Sequence, residues 1–179
     1  MDMIKESDLK MLFSEQQIQE KIKKLALSLN DVYADEELYL ICVLKGSVMF
    51  MADLAKYLKM PVKMEFIRLS SYGSGFSSTG RVSAVDIALP DLNKKNVLII
   101  EDIIDTGHTA RFLVDFINHN FKPKSLKFCS LLDKKCKREV GIEADYYCFD
   151  VDDKFLVGYG LDYDGYYRNI PYIGYVEGV

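Results

Sequence analysis

Apolar residues along the chain recur with two periods, and the alternation between them predicts the fold class. In "SEQQIQEKIKKLALSLN", Ser14 stands three positions before Gln17 in a capping-box pattern, and Ile18, Ile22, Leu25 and Leu29 share one helical face. The spacing predicts an amphipathic helix lying on a core. "YLICVLKGS" is an apolar run too short for a helix and ends at Lys45-Gly46, and "VMFMADLAKYLKM" resumes helical spacing until Pro61 stops it. "VKMEFIRLS" reads as a strand, "SYGSGFSSTG" as a loop, and "RVSAVDIAL" as a strand returning as its hairpin partner. "NVLII" is a buried strand, "TARFLVDFINHN" a helix with Ala110, Leu113, Val114 and Ile117 on one face, and "SLKFCSLL" another strand. "DYYCFDV" and "FLVGYG" follow as short strands, and the tail "DGYYRNIPYIGYVEG" is rich in turn residues and tyrosine. Strands alternating with helices predict parallel βαβ units in an α/β fold, with a sheet covered on both faces.

Composition narrows this to one domain spanning 1–179, since 179 residues at 49% apolar suffice for one buried core and are short for two. The formal charge of −4 carries no large basic block, and the short cluster "DKKCKRE" does not suggest bulk nucleic-acid binding. Cys42, Cys129, Cys136 and Cys148 are widely spaced with no CxxC pair, and "MDMIKESDLK" is too charged for a signal peptide. Free thiols in a reducing cytoplasm are expected. No apolar run approaches the roughly 20 residues of a membrane span, so no membrane partner is expected.

The chemistry concentrates in "NVLIIEDIIDTGHTA", where an apolar strand runs into Glu101 and Asp102, then Asp105, and then into a helix. Carboxylates beside a buried strand are costly unless positive or hydrogen-bonding groups meet them. Beyond the carboxyl ends of α/β strands, the next helix N-terminus offers N–H groups to an anion; Gly107 allows close backbone approach, and Thr106 and Thr109 add hydroxyls. Glu101 and Asp102 can accept hydrogen bonds from sugar hydroxyls or hold hydrated magnesium. The pattern fits a phosphorylated ribose. A solvated strand end with Asp105 as a helix N-cap is the bland alternative.

The order Ile-Ile-Glu-Asp-Ile-Ile-Asp-Thr-Gly-x-Thr resembles the phosphoribosyl diphosphate signature of the type I phosphoribosyltransferases. The resemblance runs from about Leu40 to Val176. It implies a mainly parallel central sheet flanked by helices, with a small hood formed from the chain ends and a flexible hairpin loop. It also implies that Glu101 and Asp102 contact ribose hydroxyls and that Asp105, Thr106, Gly107, His108 and Thr109 form the 5′-phosphate loop. His108 departs from the family pattern at a position occupied by various residues. "GSGFSSTG" is neither GxGxxG nor GxxxxGK[ST], but Ser71 and Tyr72 match the start of the family loop that closes over the diphosphate. Lys45 and Gly46 match a loop that presents backbone groups to the diphosphate, often with a cis peptide before the glycine.

The segments "LLDKKCKREV" and "DKFLVGYGLDYDGYYRNIPYIGYV" are similar to those of hypoxanthine/guanine phosphoribosyltransferases. The similarity assigns Lys134 to the purine 6-oxo group, Phe155 to stacking on the ring and Leu156 to the base edge. It places Asp162 beside purine and metal, and Arg168 on the leaving diphosphate. Magnesium, held through Glu101, Asp102 and Asp162, is the implied cofactor. Purine base and phosphoribosyl diphosphate are the implied substrates, Asp105 the implied acid/base residue, and a homodimer or homotetramer the implied assembly. An RNA-binding regulator of the same fold and a xanthine-preferring enzyme remain as rivals. For Lys134, Lys135, Lys137 and Arg138 the alternative is a solvated basic surface, and for Phe155 it is a core position.

Overall fold

The computed structural model describes residues 9–71 and 82–176. Six strands form the main sheet: β2 (Leu38–Leu44), β3 (Val62–Ser71), β4 (Val82–Asp86), β5 (Asn96–Ile104), β6 (Ser125–Asp133) and β7 (Tyr146–Asp150), in the order β4-β3-β2-β5-β6-β7. β3, β2, β5, β6 and β7 are mutually parallel, and β4 pairs antiparallel with β3 as the expected hairpin partner.

Side chains of β2 and β5 alternate between two cores, as strands covered on both faces must. Leu40, Cys42, Leu98 and Ile100 join the core beneath α1 (Glu15–Tyr33) and α2 (Val48–Ala55). Tyr39, Ile41, Val43, Val97 and Ile99 join the core beneath α3 (His108–Asn120). α1 begins with the expected reciprocal capping box between Ser14 and Gln17, and Ile18, Ile22, Leu25 and Leu29 are all buried. In α3, Ala110, Leu113 and Ile117 are buried, and Val114 packs at the core margin.

A second, antiparallel sheet of order β1-β9-β8 joins the two ends of the chain, using β1 (Leu9–Phe13), β8 (Leu156–Val157) and β9 (Ile173–Val176). Phe13 of β1 stacks on Phe149 at 4.0 Å between centroids, tying this hood to the main sheet.

Several boundaries differ from the sequence reading. β5 continues through both acids to Ile104, because its residues keep pairing with β6 beyond the apolar run. α2 stops at Ala55, short of the helical spacing that reaches Met60. "FLVGYG" keeps only Leu156–Val157 as strand, since Gly158, Tyr159 and Gly160 take φ of 94°, 49° and 101° and turn the chain. β1 and β9 carried no strand signal of their own; each is stabilised by pairing with the other, Leu9 opposite Val176.

Candidate active site

Several of the residues nominated from the sequence converge from three parts of the fold on a cavity of about 230 Å³. Glu101, Asp102 and Thr109 line it from the β5–α3 junction, Lys45 and Gly46 from the loop after β2, and Asp162 and Arg168 from the hood. Leu69 of β3 also lines it, a contact its apolar strand pattern did not announce.

Glu101 is buried at 8% exposure. Burial first, and then the neighbouring charge of Asp102, push its carboxyl well above the usual range. Burial pushes the Asp102 carboxyl up to about 6; backbone N–H groups and then the Arg168 charge oppose the rise, and Asp162 adds to it. The Ile103 N–H donates to Asp102 Oδ1 at 2.9 Å, which fixes the carboxylate against its own strand.

In the loop after β2 the Leu44–Lys45 peptide is cis, one bond upstream of Lys45–Gly46. A Cβ at Gly46 would lie 1.5 Å from Asp102 Oδ2, so only glycine lets this loop sit against the acid. Arg168 donates to the Gly160 carbonyl at 2.6 Å and pairs with Asp162 at 2.6 Å, while Asp162 accepts the Gly165 N–H at 2.7 Å. Asp162 is therefore held beside Arg168 on the hood side of the cavity. Ser71 ends β3; Tyr72 lies outside the described residues.

The loop from Thr106 to Thr109 reaches the start of α3 through Gly107, which is the N-cap at φ 88° in place of Asp105. A Cβ on Gly107 would come within 2.9 Å of both Val140 and Ile142. The Thr106 carbonyl accepts N–H groups from Glu139 and Val140, at 3.0 and 3.3 Å, which pins this loop to the segment after β6. His108 Nε2 meets Glu139 Oε2 at 2.9 Å, so its side chain is engaged across that segment.

A third group surrounds the ends of β5 and β6. Lys134, 7% exposed, places Nζ 3.0 Å from the Lys154 carbonyl, to which it donates, 3.8 Å from Asp105 Oδ2 and 3.7 Å from Asp153 Oδ1. Phe155 is edge-on to Tyr163 at 5.5 Å, and buried Leu156 pairs with Tyr175 in the hood sheet. Arg138 was grouped only with a basic run, yet its Nη1 donates to the Asp105 carbonyl at 2.9 Å and its Nη2 pairs with buried Asp133. Asp105 Oδ1 and Asp133 Oδ2 are buried and lack a hydrogen-bond partner among the described residues. The basic cluster divides: Lys135 and Lys137 lie at the solvated surface, paired with Asp150 at 2.7 Å and Asp153 at 2.6 Å, while Lys134 and Arg138 turn inward.

Among the described residues no group of three or more His, Cys, Asp or Glu side chains forms a closed metal cage. Asp102 and Asp162 nonetheless face one polar cavity, and magnesium is commonly held by one or two carboxylates plus substrate phosphate oxygens and water. The donor set fits such an ion. No described helix is long and apolar enough to cross a membrane.

The family model for the phosphoribosyl transferase domain matches residues 8–164. The chain belongs to this family. A hypoxanthine-guanine phosphoribosyltransferase of Streptococcus thermophilus is 45% identical over 94% of this chain and 93% of its own length. One from Bacillus subtilis is 43% identical over 98% of this chain and 97% of its own. Among solved phosphoribosyltransferases, a hypoxanthine-guanine enzyme of Bacillus anthracis superposes with a TM-score of 0.88 at 46% identity, covering 93% of this chain and 98% of that one. A hypoxanthine enzyme of Staphylococcus aureus gives a TM-score of 0.91 at 39% identity, covering 99% and 96%. The phosphoribosyltransferase fold inferred from the sequence, central parallel sheet and flanking helices included, is thus the fold of the molecule.

Proposed function

We propose that the chain, as one domain over 1–179, converts hypoxanthine or guanine and 5-phospho-α-D-ribose 1-diphosphate to IMP or GMP and diphosphate. The carrying observation is the approach of Lys134 Nζ to Asp105 Oδ2 at 3.8 Å beyond the ends of two adjacent parallel strands. A 6-oxo group and N7 share one edge of the purine ring. Lys134 is a donor for the first, and Asp105 an acceptor for a proton on the second. Adenine carries an amino donor in place of the oxo group and would meet Lys134 donor to donor.

In this reading N9 of the base attacks C1 of the ribose as the bond from C1 to the diphosphate oxygen breaks. The N7 proton passes to the Asp105 carboxylate, whose charge also steadies the oxocarbenium-like ring. Phe155 stacks on the base and the Leu156 backbone meets its edge. Glu101 and Asp102 accept hydrogen bonds from ribose hydroxyls, and Thr106, Gly107, His108 and Thr109, with the N-terminus of α3, hold the 5′-phosphate. Lys45, Gly46, Ser71, Tyr72 and Arg168 hold the diphosphate, for which a planar guanidinium fork is suited. Magnesium, held through Asp162 and Asp102 with Glu101 behind them, supplies neutralisation of the leaving charge when bound.

The free thiols Cys42, Cys129, Cys136 and Cys148 support a reducing, cytoplasmic setting. Met64 and Phe66, exposed on one face of β3, supply apolar surface for a homodimer or homotetramer.

Incubating the protein with magnesium, the diphosphate sugar and hypoxanthine, guanine or xanthine in turn, and separating nucleotides by chromatography, tests the reading. IMP and GMP are the expected products. No nucleotide from any base would overturn the proposal, and XMP as the dominant product would replace it with the xanthine-preferring alternative.

A further inference from the structure

α2 touches the hood at a point that the sugar, phosphate and base contacts leave unexplained. Asp53, in the last turn of α2 and 21% exposed, accepts hydrogen bonds on Oδ2 from the Tyr159 hydroxyl at 2.6 Å and from Gln19 Nε2 at 2.6 Å, and pairs through Oδ1 with Lys56 at 2.7 Å. Burial opposes ionisation, but hydrogen bonds from Lys56, Tyr159 and Gln19 outweigh it and hold the Asp53 carboxyl below the usual range. Burial and then the bond to Asp53 push the Tyr159 phenol above its ordinary value, so this phenol stays a donor.

Tyr159 is 6% exposed and occupies the left-handed turn between Gly158 and Gly160, its own N–H donating to Ile170 at 2.7 Å. The next residue, Gly160, touches two parts of the cavity wall. A Cβ there would lie 2.0 Å from the Gly46 carbonyl oxygen, so the two backbones are in direct contact. The Gly160 carbonyl also receives Arg168 Nη1 at 2.6 Å, and its N–H donates to the Arg168 carbonyl at 2.9 Å. α2 thus meets the hood twice: Gly46, just ahead of it, against Gly160, and Asp53, in its last turn, against Tyr159.

We propose that Asp53 and Tyr159 are positioning residues for the diphosphate end of the site. Their hydrogen bond seats the Gly158–Gly160 turn on α2, and through Gly160 it sets the distance between the Gly46 backbone and the Arg168 guanidinium. The two then grip one anion from opposite sides. Neither side chain lines the cavity, so their action passes through the backbone of Gly160. The proposal rests on the reading of this cavity as a diphosphate-sugar site.

Tyr159→Phe removes the hydroxyl and leaves Asp53 its bonds to Gln19 and Lys56. Asp53→Asn keeps a carbonyl acceptor for Tyr159 and serves as the conservative companion. Binding of inorganic diphosphate with magnesium is measured by calorimetry, and steady-state constants are measured for both substrates. The expected result for Tyr159→Phe is roughly tenfold weaker diphosphate binding and a matching rise in KM for the diphosphate sugar, the scale of one lost charge-assisted hydrogen bond. KM for hypoxanthine and kcat at saturating sugar should hold within about twofold, and Asp53→Asn should fall between wild type and Tyr159→Phe. Unchanged diphosphate affinity in both variants would overturn the proposal, as would equal losses for both substrates tracking a fall in folded fraction. Failure of the wild-type protein to bind diphosphate would instead sink the reading of the cavity itself.

Discussion

Lys134 Nζ lies 3.8 Å from Asp105 Oδ2 and donates to the Lys154 carbonyl at 3.0 Å, while Asp105 Oδ1 is buried with no hydrogen-bond partner among the described residues. The lysine is anchored while the carboxylate keeps a free acceptor, an arrangement suited to taking a proton from a bound ring. Asp105→Asn should therefore lower kcat by about 10² to 10⁴ with a small change in KM for the base. An unchanged kcat in single-turnover and steady-state assays would remove Asp105 from the chemistry.

Gly46 tests the diphosphate loop. A Cβ there would lie 1.5 Å from Asp102 Oδ2 and 2.4 Å from its Cγ, so Gly46→Ala must displace either the loop or the acid. We expect kcat/KM for the diphosphate sugar to fall by about 10- to 100-fold, with the circular-dichroism spectrum preserved. Wild-type kcat/KM in this variant would show that the loop position is irrelevant to binding.

The buried acids make the folded protein lose stability as pH rises. Folding raises the Asp102 carboxyl from 3.8 to about 6, so over that interval the folded protein retains a proton that the unfolded chain has lost. Stability should fall as pH rises from about 4 to about 6, and the raised Glu101 carboxyl acts in the same direction. Asp102→Asn removes the Asp102 share, so its Tm should decline less across the same window, by the equivalent of about 1 to 3 kcal/mol. Parallel profiles for the two proteins, measured without ligand, would contradict this.

Arg138 joins two otherwise separate acids, donating to the Asp105 carbonyl and pairing with Asp133, which is 1% exposed. Burial already raises the Asp133 carboxyl. Arg138→Met would leave it without its cation, at a cost of about 3 kcal/mol in urea unfolding. Pairing the change with Asp133→Asn should restore much of the loss, and a double variant no more stable than Arg138→Met would refute the coupling.

The residues that could be read from the sequence are those whose signals are local. The run from Asn96 to Ala110 places apolar strand, acids, glycine and helix in unbroken order, and the structure keeps them adjacent. Ser14 and Gln17 announce their helix across a single turn. β1 and β9 were illegible because Leu9 and Val176 are far apart in sequence and are brought together only by the finished fold. Arg138 looked like its lysine neighbours because charge is visible in sequence and burial is not. Asp53 gave no signal for the same reason: a polar residue on a helix reads as solvated until Tyr159 is placed above it.

The most direct test of the account is the ratio of kcat/KM for hypoxanthine to that for adenine, at saturating diphosphate sugar and magnesium. Because Lys134 can only donate, and its position beside Asp105 fixes which ring edge it meets, hypoxanthine should be favoured by about 10³-fold or more. Comparable values for the two bases would contradict the assignment of Lys134 and Asp105 as the reader of the purine ring.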